Sequence, residues 1–193
     1  MTKMSRISLT FLGLCLTVLA FGQTKNPPEW ESVISEMTKA SEGDTITYRS
    51  KNRLEWSDFK MSPNLTSDLK VHIELTFGVF MKKVNVWTGV ATVESYGGIR
   101  RDLSWVNPQY ESLQLLDYLQ LKYEIAHYFA KKSEKEINSK KINAKNTGRI
   151  NGIIETHINE RDKALNAFDI ESDFGSRAEI IDKWKQKLNN EEI

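Results

Sequence analysis

Leu115-Leu116-Asp117-Tyr118-Leu119-Gln120-Leu121-Lys122-Tyr123-Glu124-Ile125-Ala126 decides the architecture of this chain. Leu115, Leu116, Leu119, Tyr123 and Ala126 recur at helical spacing, and Ala130 and Ile137 continue the stripe. The pattern predicts one long amphipathic helix beginning after Pro108. Upstream the period is two. Val71, Ile73, Leu75, Phe77 and Val79 share one face, with Lys70, His72, Glu74 and Thr76 on the other. A second run sets Val84, Val86, Thr88 and Val90 against Asn85, Trp87, Gly89 and Ala91, and the polar segment Met81–Lys83 is the expected turn of an antiparallel hairpin. Gly97 and Gly98 read as a further turn and Leu103–Val106 as a short strand. Downstream, Ile150, Ile153, Ile154, Ile158, Leu165 and Phe168 stripe a second helix from about Arg149 to Phe168. A third is expected over Arg177–Leu188 behind the capping box Ser176, Arg177, Ala178, Glu179. Strands first and helices after predict an α+β fold: an antiparallel sheet followed by three helices.

The first 22 residues read as a secretory leader. Lys3 and Arg6 precede an apolar run from Ile7 to Phe21, which ends in the small-residue pattern Ala20, Phe21, Gly22 before Gln23. The run is shorter than the roughly 20 residues a membrane-spanning helix needs, and no basic stop-transfer cluster follows it. The expected fate is export, to the periplasm or beyond the cell, with no transmembrane segment. Leu14 precedes Cys15 where a lipid-anchored chain would carry a small residue, so a lipid anchor is not expected. Residues 23–44 form a polar extension with a short amphipathic helix over Trp30–Ala40, and residues 45–193 form one α+β domain.

The whole chain carries 27 basic and 26 acidic residues, a formal charge of +1, and removal of Lys3 and Arg6 with the leader turns this to −1. Neither value points to nucleic acid or to a membrane as the partner. Cys15 is the single cysteine. After cleavage, disulfides, thiolate metal sites and thiol nucleophiles are excluded.

Four motifs stand in order along the chain: Leu54-Glu55-Trp56-Ser57-Asp58-Phe59, Ser104-Trp105-Val106, the helix Leu115–Ala126, and Phe168-Asp169-Ile170-Glu171-Ser172-Asp173-Phe174-Gly175. Together they resemble a bacterial family of predicted secreted zinc-dependent proteases, a domain of unknown function. Its corresponding segments are Leu-x-Trp-Ser-Asp-Phe, the Ser-Trp-Val before its main helix, the helix Leu-Leu-x-His-Glu-Gln-x-His-Phe-Asp-Ile-Ala, and Tyr-Asp-x-Glu-Thr-x-His-Gly. The resemblance implies a zincin-like long central helix. In that family pattern two histidines one helical turn apart bind zinc and the intervening Glu is the general base.

Here the chemistry is gone from those positions. Tyr118 and Lys122 stand where the two histidines would be, Leu119 where the Glu would be, and Phe174 where the resemblance puts the third ligand. A phenol with a pKa near 10 and a protonated lysine are poor zinc ligands, and leucine accepts no proton. The expectation is therefore a non-catalytic homologue without zinc or other cofactor that binds a protein or peptide partner. Lys122 is expected where the zinc charge would lie, paired with Asp169 or Asp173.

The alternatives differ in class. Glu124 and His127 share a helix face and, with Asp117, make a candidate for a relocated metal site in a working hydrolase. A structural envelope protein would instead use the basic stretch Lys131, Lys132, Lys135, Lys140, Lys141, Lys145 and Arg149, whose default reading is a solvated helix end. Asp169, Glu171 and Asp173 alternate like a calcium loop, but Gly175 comes one place late and Ile180 stands at the twelfth position, so the expected use is capping of the helix that begins at Ser176 or holding the turn before it. His157, among isoleucines, reads as a buried hydrogen-bonded histidine and His72 as an exposed strand residue. No serine-hydrolase motif surrounds Ser133.

Overall fold

The computed structural model describes residues 43–63 and 69–193. The leader and the expected helix at Trp30–Ala40 lie outside the described residues. Within them, the order is β1 (Thr45–Thr47), β2 (Val71–His72), β3 (Leu75–Val84), β4 (Ala91–Arg100), β5 (Trp105–Val106), α1 (Leu113–Ser139), α2 (Thr147–Glu171) and α3 (Ala178–Asn189). The fold is α+β, with all strand pairs antiparallel and three helices after the sheet. β1, β4 and β3 form one sheet in that order, and β2 pairs with β5 in a second, two-stranded sheet.

The hairpin lies further along the chain than the alternation suggests. β3 continues through Met81–Lys83 to Val84, and the turn is Asn85–Val90. The cause is a β-bulge: Met81 faces Val93 and Lys83 faces Thr92, so Lys82 is an inserted residue that breaks the period of two. The turn closes on the Asn85 side chain, whose Oδ1 accepts the amides of Trp87 at 2.9 Å and Thr88 at 3.1 Å, while Gly89 supplies φ +67°.

Gly97 and Gly98 are not a turn but buried residues of β4. A Cβ on Gly97 would stand 2.7 Å from the Cα of His127, and one on Gly98 would stand 2.4 Å from the Ile46 carbonyl oxygen. The glycines let the α1 backbone and β1 approach the strand. Helix α1 then takes the place of a fourth strand along the edge of β4. Asn138 accepts from the Val93 amide at 2.9 Å and donates to its carbonyl at 3.0 Å, and Glu134 accepts from the Ser95 amide at 2.7 Å. The Ile142 carbonyl takes the Ala91 amide at 2.9 Å, and the Tyr48 amide reaches the Gly97 carbonyl at 2.9 Å.

Ser112 caps α1 by accepting from the Leu115 amide, and the apolar stripe fills two cores. Leu115, Leu119, Tyr123 and Phe129 pack with Leu54, Phe168, Ile181 and Trp184, while Ile137 packs with Val79, Val93, Ile142 and Ile150. The Leu54–Phe59 motif is a hook on this helix. Leu54 enters the core, its amide donates to Gln120 Oε1 at 2.8 Å, and buried Asp58 takes the Glu55 amide and the Lys51 ammonium at 2.9 and 2.7 Å. In the second motif, Ser104 accepts from the Glu74 amide and donates to the Arg100 carbonyl, setting β5 beside β2.

No capping box forms at α3. Its N-cap is Arg177, without a side-chain cap bond. Of the three carboxylates named for that end, Asp169 turns toward α1 and Glu171 to the Trp184 indole N–H at 2.9 Å, while Asp173 is exposed in the turn before the helix. Gly97→Ala is expected to cost about 1–3 kcal/mol in urea unfolding through the clash with α1. Gly152→Ala on α2, where nothing lies within 4 Å of the added Cβ, is expected to stabilise by about 0.5–1 kcal/mol.

Candidate functional site

Tyr118 and Lys122 are one turn apart on α1, and both point at the end of α2, where Asp169 waits. Asp169 Oδ1 accepts from the Tyr118 phenol at 2.5 Å, and Oδ2 accepts from the Lys122 ammonium at 2.8 Å. The ammonium also sits 5.3 Å from the centroid of the Tyr118 ring. Only 14% of the Lys122 side chain and 20% of the Asp169 side chain are exposed. Burial first, and the Asp169 carboxylate second, push the Tyr118 phenol well above its ordinary range, which keeps it a hydrogen-bond donor. Of the two carboxylates expected to pair with Lys122, Asp169 is the partner.

This trio forms the floor of a cleft of about 430 Å3. One wall is α1, with Leu115 and Leu119. The other is β2 and its flanks, with Lys70, Val71, His72 and Ile73, and Asp173 and Phe174 form the rim. The fold thus brings together Tyr118, Leu119, Lys122 and Phe174 around one cavity. The rim is built by an unusual turn. Asp173, Phe174 and Gly175 have φ of +48°, +50° and +84°, the left-handed region that bulky residues avoid. Gly175 passes so close to Tyr118 that a Cβ would stand 2.7 Å from its ring, and Gln114 Nε2 donates to the Gly175 carbonyl at 2.8 Å. Phe174 is left 63% exposed over the opening. A strained backbone that presents an aromatic ring to solvent is a feature of binding sites more than of packing.

Both oxygens of Asp169 are taken by donors. The cleft thus combines the apolar side chains of Leu115, Leu119, Val71 and Ile73, the internal Lys122–Asp169 pair, the polar side chains of Lys70, His72 and Asp173, and an exposed aromatic ring at its rim.

Asp117 and Glu124 line one cavity of about 580 Å3, and His127 lies outside its lining. Glu124 accepts from Gln120 at 2.7 Å, Asp117 lies 3.8 Å from Lys185, and His127 stacks on Tyr48 with ring centroids 4.3 Å apart. Among the described residues no group of three His, Cys, Asp or Glu side chains has the geometry of a metal site. His157 is buried between two carboxylates, Glu136 at 2.8 Å and Glu160 at 3.1 Å, and His72 is exposed beside Glu74. Ser133 is buried and donates to the Ala130 carbonyl one turn back. The alternation read Val71 and Ile73 as one strand with Leu75, Phe77 and Val79, but the run breaks after His72, β2 joins β5 in the second sheet, and this break makes the cleft wall; the left-handed rim had no sign in the sequence beyond Gly175. Gly175, read only as part of a motif, was the one available sign of the close approach to Tyr118.

Removing one member of the trio is expected to cost more than removing the pair. Asp169→Ala leaves a phenol and an ammonium without their acceptor and should lower stability by about 2–4 kcal/mol, whereas Lys122→Met combined with Asp169→Leu should cost clearly less than the sum of the single changes, as measured by chemical denaturation.

A second expectation concerns pH. Burial, then the Lys131 charge, hold His127 below its ordinary value near 6.5, against the pull of Glu134. A histidine depressed in the folded state contributes stability that is complete above that value and is lost as pH falls through its folded value. Thermal midpoints should therefore drop below about pH 6.5, less so in His127→Phe. A further drop should follow below about 4.5, where Glu136, held low by Lys140 and His157, and Glu160, held low by Lys132, take up protons.

Comparison of the chain with protein-family models, with curated proteins and with solved structures gives no match.

Proposed function

We propose that this chain is an exported, non-catalytic relative of secreted zinc-dependent proteases, which holds a protein or peptide segment in the cleft between α1 and β2. The observation that carries the reading is the Tyr118–Asp169–Lys122 trio. The family resemblance puts the metal and its ligands at Tyr118, Lys122 and Phe174, and a lysine ammonium held by a carboxylate lies in that cleft. A fixed cation can stand in for a metal charge as an anchor for structure, but it supplies no ionisable water. The apolar wall of Leu115 and Leu119 and the exposed Phe174 ring favour a partner segment with a large apolar side chain, and Lys70, His72 and Asp173 around them favour one with polar neighbours.

The test is the zinc, manganese and calcium content of the protein by elemental mass spectrometry, after purification without chelator and again after dialysis against zinc. No stoichiometric ion is expected. About one tightly held ion per chain would overturn the reading and turn attention to hydrolase assays. For the binding role, peptides selected from a random display library on the wild-type protein should lose roughly tenfold or more in affinity to Phe174→Ala. Peptides that bind both proteins equally would place the partner elsewhere.

A further inference from the structure

The turn between β3 and β4 presents Val86 at 88% and Trp87 at 93% exposure, far more than any apolar side chain needs for packing. The turn is well ordered by its own bonds. Besides the Asn85 side chain, the Gly89 amide donates to the Asn85 carbonyl at 2.8 Å and the Asn85 amide to the Val90 carbonyl at 2.9 Å. It also leans on the α1–α2 loop, where Asn143 Nδ2 donates to the Thr88 carbonyl at 3.1 Å and the Ala144 amide to the Gly89 carbonyl at 2.8 Å.

That loop and the turn are basic together. From Ile137 to Ile154 the chain carries Lys140, Lys141, Lys145 and Arg149 and no acidic residue, and from Met81 to Val93 it carries Lys82 and Lys83 and none. Lys82 is paired with Glu94 and Lys140 with Glu136. Lys83, Lys141, Lys145 and Arg149 are exposed and have no ion pair among the described residues. The chain as a whole is near neutrality, so this is a local concentration of positive charge around an apolar tip.

We propose that this end of the domain is a membrane-docking surface, with the Val86–Trp87 tip seated in the headgroup region of an anionic phospholipid bilayer and Lys83, Lys141, Lys145 and Arg149 against the lipid phosphates. A convex tip asks for no matching pocket in its partner. An indole, apolar with one N–H, is the side chain best suited to the bilayer interface. Unpaired cations near an anionic leaflet contribute roughly 1 kcal/mol each, about a fivefold change in partitioning per charge. Stable attachment takes two such signals, one apolar and one electrostatic, and both occur here side by side. No described helix is long and apolar enough to cross a membrane, so the contact is peripheral. The inference is independent of the role assigned to the cleft.

The test uses the full chain and vesicles of phosphatidylcholine mixed with phosphatidylglycerol in equal parts, with pure phosphatidylcholine as control. Tryptophan emission is recorded with brominated acyl chains as quencher, and the contribution of Trp87 is the difference between wild type and Trp87→Phe. This difference reports the tip alone, whatever else binds the chain to the vesicle. Quenching of the Trp87 component on anionic vesicles is expected, and it should weaken sharply with salt. In the double variant Lys141→Gln, Lys145→Gln the lipid concentration giving half-maximal Trp87 quenching should rise roughly 25-fold. Circular dichroism confirms that these exposed changes leave the fold intact. An unquenched Trp87 component overturns the proposal, as does quenching that is the same on neutral lipid and in the double variant. Unquenched Trp87 on vesicles together with loss of a protein contact in Trp87→Ala would overturn it in favour of a protein interface.

Discussion

The structure depends on one edge of one strand. β4 is paired with β3 along its length on one side, but on the other β1 covers only its last three residues. The rest of that edge would be a row of unsatisfied amides and carbonyls in the interior, at a cost of about 1–3 kcal/mol for each group left without a partner. Helix α1 resolves this with side chains, Asn138 and Glu134, in place of another strand. Such bonds have short reach, so the helix backbone must come to the strand, and Gly97 permits it. Once α1 is fixed in this way, its opposite side is directed at α2 and α3, and Tyr118 and Lys122 are aimed at Asp169.

The chemistry of the cleft follows from that placement. A lysine and a tyrosine one turn apart would be ordinary on an exposed helix. Buried against α2, they need an acceptor, and Asp169 meets both needs with its two oxygens. The trio satisfies its own polar groups, while the left-handed turn at Asp173–Gly175 keeps an aromatic ring out of the core and over the opening. The floor is satisfied internally, and the rim is not.

Helices with long apolar stripes were legible in the sequence almost to their ends, because burial on one side imposes the 3.6-residue period directly. The α+β class followed from the order of periods. The hairpin was misplaced because Lys82 is an inserted residue: a bulge preserves hydrogen bonding while breaking the alternation by which a strand is read, and the β-branched residues of the turn imitate a second strand. Gly97 and Gly98 misled for a related reason. Glycine signals either a turn or a close approach, and only the tertiary partner, here the backbone of His127, distinguishes them. In the cleft, the Lys122 partner was foreseeable from charge alone, but Asp169 and Asp173 could be separated only by knowing that α2 runs through Glu171 and places Asp169 on its inner side. Asp117, Glu124 and His127 share a helix face by spacing, yet each has its own partner, Lys185, Gln120 and Tyr48 in turn.

The bulge at Lys82 also shapes the outer edge of the sheet. Among the described strands β3 lies at the outside of its sheet, and a flat outer strand of this length is a template onto which a second molecule can add its own backbone. The inserted residue is the eighth of ten and throws only the last donors and acceptors of β3 out of step, so an incoming strand would find matching partners no further than Met81. The exposed Lys83 beside it sets a charge at the end of that edge, a device that disfavours edge-to-edge pairing.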